Sequence, residues 1–131
     1  MSTDNEEAFE MWVTEMPDAL DSFLSAIPSD LVAKLDFSPR SLNVLEEWML
    51  EKFGDVARFR NGADTKTVDG IARYIGETFR QNLGGTWDIN FSNKKNVYYG
   101  MPVIVGLSGK ATPECPHFLA TTLLDRRTGH F

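Results

Sequence analysis

Residues 68–89, VDGIARYIGETFRQNLGGTWDI, join a helical pattern to a strand pattern through a glycine pair, and the architecture follows from that junction. Val68, Ile71, Ala72, Ile75, Phe79 and Leu83 recur at helical spacing and make one apolar stripe. Asp64 or Thr65 suits the start of this helix and Gly84 its end. Gly70 and Gly76 fall inside it, each costing roughly 1 kcal/mol relative to alanine. That cost predicts another element packed closely against the missing side chains, with ligand or partner access to the helix as the sharper alternative. Arg73 and Glu77 lie four apart, with Tyr74 and Gln81 beside them on the less apolar side, so the four can form a polar strip. An exposed pair of this kind contributes under about 1 kcal/mol and is commonly solvated decoration, which is the plainer reading beside a functional strip.

After Gly84-Gly85 the period changes. Trp87, Ile89 and Phe91 alternate with Thr86, Asp88 and Asn90, the two-residue period of a half-buried strand. SNKKN at 92–96 reads as a hairpin loop returning through Val97, Tyr98 and Tyr99. Gly100-Met101-Pro102 breaks that strand before PVIVGL, whose continuous apolar run suits a strand buried on both faces. SGKATPECPH is then a loop, and Pro116 starts a last helix over 116–127 with Phe118, Leu119, Thr122 and Leu123 inward. The Arg126-Arg127 pair would complement that helix's C-terminal end.

Upstream, residues 6–83 are mainly helical, with 1–5 left outside the fold. Pro17 interrupts the first helical stretch, ending one helix near Glu15 and opening another. Phe9, Trp12, Val13 and Met16 serve the first, and Leu20, Phe23, Leu24 and Ile27 the second. Ser29-Asp30 opens a short turn through Leu31, Val32 and Leu35. Ser38-Pro39 is a cap followed by proline at the first helical position, beginning a helix that buries Leu42, Leu45, Met49 and Phe53, carries Trp48 at the side of its stripe and stops at Gly54. Helices first and strands over 84–107 is the α+β pattern: N-terminal helices packed on a small antiparallel sheet formed by the C-terminal half. There are no internal repeats.

At 131 residues and 42% hydrophobic, the chain suits a single domain over 1–131. The lone Cys115 has no cysteine partner, and MSTDNEEAFE carries acids where a secretory signal needs a basic start, so a cytoplasmic location is expected. No apolar run approaches the roughly 18 residues of a membrane span. The net charge of −6 is unevenly spread. Residues 1–55 hold thirteen acidic against three basic side chains, and the remainder six against ten. An acidic helical surface repels nucleic acid and can steer toward a basic protein, or it serves only solubility and attraction between the two halves.

Catalytic templates find little. Ser108 in GLSGK lacks the glycine arrangement of a nucleophile elbow, and Ile104 stands where the first glycine of a phosphate loop belongs before Gly109-Lys110. Ser92 and Lys95 match a Ser-x-x-Lys spacing only by letter, in a loop rather than on a helix. Glu114, Cys115 and His117 crowd one loop, but the only other histidine is His130, too few ligands for a zinc site. Lys94-Lys95 beside Tyr98-Tyr99 is the nearest approach to a nucleic-acid stripe, and a charged loop tip beside core tyrosines explains it equally. No catalytic residue, metal or cofactor is expected.

The strings DFSPRSLNVLEEWMLEKFGD at 36–55 and VDGIARYIGETFRQNLGGTWDINFSNKKNVYYGMPV at 68–103 resemble a group of small bacterial proteins of unassigned function. The likeness is carried by a SLxxLExW helix, a YIGE…NLGGxW helix-to-strand unit and a tyrosine-rich stretch leading into a proline. It implies a bacterial, soluble setting. The helix-then-GG-W arrangement is also similar in style to small immunity proteins of bacterial toxin systems. Together these readings predict a non-enzymatic protein-binding domain using Arg73, Tyr74, Glu77, Trp87, Asp88, Tyr98 and Tyr99. One alternative is a small-molecule pocket or cryptic enzyme around Glu77, Trp87 and His117, and a second is a structural homodimer using Met and Trp side chains.

Overall fold

Proline, serine and glycine punctuate the chain where local chemistry demands. In the computed structural model, which describes residues 3–127, α1 (Thr3–Thr14) begins inside the stretch 1–5 that the sequence leaves outside the fold. It breaks at Glu15, and α2 (Met16–Ser25) carries Pro17 in its first turn. The short α3 (Ser29–Val32) leads to α4 (Pro39–Phe53), whose cap Ser38 accepts the Ser41 amide through its hydroxyl at 3.2 Å. α5 (Val56–Gly62) is capped by Asp55, and α6 (Thr65–Leu83) by Asp64, whose carboxylate accepts the Thr67 amide at 2.7 Å. That bond and its companion to the Thr67 side chain hold the Asp64 carboxyl below its ordinary 3.8. Gly84 ends α6 at φ 78°, in the left-handed region that favours glycine.

β1 (Thr86–Asp88) and β2 (Val103–Val105) pair antiparallel, Trp87 opposite Ile104, and α7 (Pro116–Arg127) follows. Helices packed on a small antiparallel sheet in the C-terminal half make this an α+β fold. α6 lies at the centre, flanked by α2, α4, α7 and β2. The core draws Leu20 and Phe23 from α2, Leu45 and Met49 from α4, Phe59 from α5, Ile71 and Ile75 from α6, and Ala120 from α7. Trp48 packs edge-on against Phe23 and Phe53, as a wide core face requires.

Both internal glycines of α6 are contact points. A methyl at Gly70 would overlap the Phe23 ring, and one at Gly76 would overlap the Trp87 ring and come within 3.1 Å of Pro116. Close approach of another element therefore accounts for them. Among the described residues, no helix is long and apolar enough to cross a membrane.

Two readings are corrected. The hairpin through SNKKN does not form: β1 ends at Asp88, its partner is β2, and residues 89–102 are a loop. Asparagine chemistry is the cause. The Asn90 side chain accepts the amides of Ser92 and Asn93, Asn93 accepts Lys95, and Asn96 accepts Tyr98, so these side chains take the donors a strand ladder would use. Val97 ends 73% exposed. In α7, Phe118 and Thr122 face solvent, while Pro116 and Ala120 make the inward stripe with half-buried Leu119. The side chain of Leu123 and those of Arg126-Arg127 fall outside the described side chains, and His130 outside the described residues.

Candidate functional site

Of the expected polar strip on α6, Arg73 and Tyr74 are turned inward, Glu77 is half-buried and Gln81 is exposed. Arg73 is buried on α6, where its Nε donates to Asp69 Oδ2 at 2.6 Å and its Nη1 to the Trp12 carbonyl at 2.7 Å. The guanidinium lies 4.1 Å from the Trp12 ring centroid, and the Trp12 indole N–H donates to the other Asp69 oxygen at 2.7 Å. A closed clasp results, with one carboxylate holding an indole and a guanidinium, and the guanidinium satisfying a carbonyl in the last turn of α1 that the helix leaves unpaired.

Tyr74 is fully buried, which removes it from any surface. Its hydroxyl accepts the Phe37 amide at 2.9 Å and lies 2.7 Å from Ser41 Oγ. Ser41 spends its own proton on the Ser38 carbonyl at 2.6 Å, so Tyr74 is the donor in the Ser41 contact. Phe37 sits at φ 62°, an unusual backbone state for a non-glycine residue. Stacking on the Tyr74 ring at 4.7 Å and donation from Asn82 Nδ2 to its carbonyl at 2.9 Å complete its restraint.

Glu77 does not pair with Arg73. Its carboxylate accepts the Trp87 indole N–H at 2.7 Å and Arg80 Nη1 at 2.9 Å and 3.1 Å. Trp87 is thereby fixed against Gly76 and edge-on to Trp12, ring centroids 4.8 Å apart. Glu77 and Trp87 are joined by a hydrogen bond, whereas His117 makes no hydrogen bond to either and its charge is felt by Asp69 and Arg73. Burial pushes the His117 imidazole below its ordinary 6.5. Cys115 is buried with its Sγ 3.6 Å from the Pro102 carbonyl, burial raises its thiol pKa, and Glu114 pairs with Lys110 at 2.8 Å. Among the described residues, no three His, Cys, Asp or Glu side chains are placed to hold a metal ion.

What remains outward lies at the other end of β1. Asp88 is exposed there, and Tyr98 and Tyr99 are half-buried in the 89–102 loop against Phe118 and Phe91. Between the middle of α1 and residues 88–92 runs an open groove of 620 Å³, framed by Glu6, Glu10 and Asp88, with Phe9, Ile89 and Phe91 supplying apolar surface. None of its lining residues is basic. Glu6, Phe9 and Glu10 were missed from sequence because their approach to the loop is a tertiary event. Asp69 had a signal: it lies four residues before Arg73 with the acid N-terminal, the better orientation for a helical ion pair than Arg73 before Glu77.

Tryptophan placement also bears on self-association. Trp12, Trp48 and Trp87 all pack against the core, and Met16 and Met49 lie within it, leaving Met11 at 62% exposure as the outlying apolar side chain of α1. Compared with known protein families, with curated proteins and with solved structures, the chain matches none.

Proposed function

We propose that this chain is a non-enzymatic protein-binding domain whose partner presents a basic segment to the groove between α1 and the end of β1. The observation that carries this reading is the groove's composition: carboxylates at Glu6, Glu10 and Asp88 around half-buried Phe9 and Phe91, with no basic side chain in its lining. Carboxylates at the rim steer a cationic partner, and aromatic rings supply contact area at small entropic cost. The acidic balance of residues 1–55 extends the same potential beyond the groove and disfavours nucleic acid as the partner. A bacterial, cytoplasmic setting and an inhibitory role of the immunity type, covering a basic site on another protein, fit this surface and the likeness of motifs.

In this reading Arg73 and Glu77 brace Trp12 of α1 and Trp87 of β1 from within, while Tyr74 is buried against Phe37 and Ser41. The test is co-purification from bacterial cytoplasm of wild type beside a Glu10→Lys/Asp88→Lys variant. A stoichiometric partner retained by wild type, lost in the variant and released by salt is the expected result. Equal retention by both, or no partner on either, overturns the proposal.

A further inference from the structure

His117 is the second residue of α7, and its Nδ1 is shut from solvent with no hydrogen-bond partner among the described residues. Burial, a neighbouring charge and position on the helix oppose a positive charge there. The side chain packs inward, the Arg73 guanidinium of α6 acts on it, and the first turn of α7 presents the positive end of the helix dipole. Asp69 favours imidazolium, yet both its oxygens are already committed to Trp12 and Arg73. An imidazolium could use Asp69 only by opening that clasp. The residues before His117 are seated as a plug: Pro116 is buried against Gly76, and Cys115 is buried beneath the Pro102 carbonyl.

We propose that His117 makes the start of α7 an acid-released latch: the neutral imidazole seats the 115–117 segment on α6, and the imidazolium lifts it, uncovering Cys115 and the face of α6 around Gly76. The latch is independent of the groove at α1. In the neutral state the imidazole needs no counter-ion. In the charged state Arg73 and the helix start oppose it and Asp69 is engaged, so withdrawal of one helical turn, which gives Nδ1 access to water, is the local relaxation.

Cys115 is a built-in reporter, since 4,4′-dithiodipyridine reacts with accessible thiols in acid as well as at neutrality. Its rate with the whole chain, divided by that of a cysteine peptide at the same pH, measures protection. Between about pH 7.5 and about pH 5, protection is expected to fall about tenfold or more in wild type with helical circular dichroism retained, and to stay flat in His117→Gln. Unchanged protection in wild type, an equal fall in His117→Gln, or loss of circular dichroism over the same range overturns the latch. Should His117→Gln fail to fold, the imidazole titration of wild type followed by NMR takes its place. Its midpoint must coincide with that of Cys115 exposure, and separate midpoints overturn the proposal.

Discussion

Tyr74 shows how a single hydroxyl can misdirect a reading of a helix face. On spacing alone it falls toward the polar side, but its ring is buried and its oxygen serves Phe37 and Ser41 from one point. Tyr74→Phe keeps the packing and leaves the Phe37 amide without an acceptor at an already unusual backbone angle. We expect a loss of about 1–3 kcal/mol, read as a lower urea midpoint with unchanged slope. A loss indistinguishable from zero would mean that water replaces the hydroxyl. Gly76 makes the opposite case, an absent side chain whose space is taken. Alanine there gains about 1 kcal/mol of helix propensity, but it must displace a Trp87 ring pinned through its indole N–H to Glu77. Overpacking of this kind costs about 1–3 kcal/mol, so Gly76→Ala should be destabilising on balance. Gly62→Ala is the control. Nothing lies within 4 Å of its added methyl, and it should be neutral or stabilising by up to about 1 kcal/mol.

Among the elements, α1 depends most visibly on one residue. Trp12 joins it to α6 through Asp69 and Arg73 and to β1 through the Trp87 ring. Trp12→Phe removes the indole donor to a carboxylate, a bond of about 1.5–3 kcal/mol. Hydrogen exchange should therefore accelerate about tenfold or more in α1 with α4 unaffected, whereas a uniform change throughout would show that α1 is not a separable unit. Helix boundaries were legible because their chemistry is local: Ser38 before Pro39, Asp64 before Thr65 and Gly84 after Leu83 act within a turn of themselves. The strand pairing was not. Residues 86–91 alternate as a longer strand would, yet Asn90, Asn93 and Asn96 divert the backbone donors, and β1 finds its partner across the loop. The candidate site was legible only in fragments. Asp88 was visible, Tyr98 and Tyr99 were read as a returning strand, Arg73 and Tyr74 looked exposed because their partners are distant in sequence, and the groove exists only once α1 is laid beside residues 88–92.

At the scale of the whole molecule, acid should act on stability in two steps. His117 has a folded-state pKa below its ordinary 6.5, so the unfolded chain binds its proton first. Stability is then complete above about pH 6.5 and falls as the pH drops below it, by at most about 1.4 kcal/mol per pH unit for one proton. The carboxylates of Asp36 and Asp64 are held below 3.8, the first by its Ser38 bonds and the second by Thr67. Their contribution is present above about pH 4 and disappears as the pH falls through their folded-state values, at the entrance to α4 and the start of α6. Urea midpoints measured against pH should therefore show a plateau near neutrality, a decline beginning below about 6.5, and a further decline below about 4. His117→Gln should remove the first decline and leave the second, because the carboxylates are untouched. Asp64→Asn should leave the first decline and shrink the second, to which Asp36 still contributes, since an asparagine cap keeps the helix start without a titrating group. A first decline that persists in His117→Gln would assign it to other groups, and the seam between α6 and α7 would then be insensitive to the charge of its histidine.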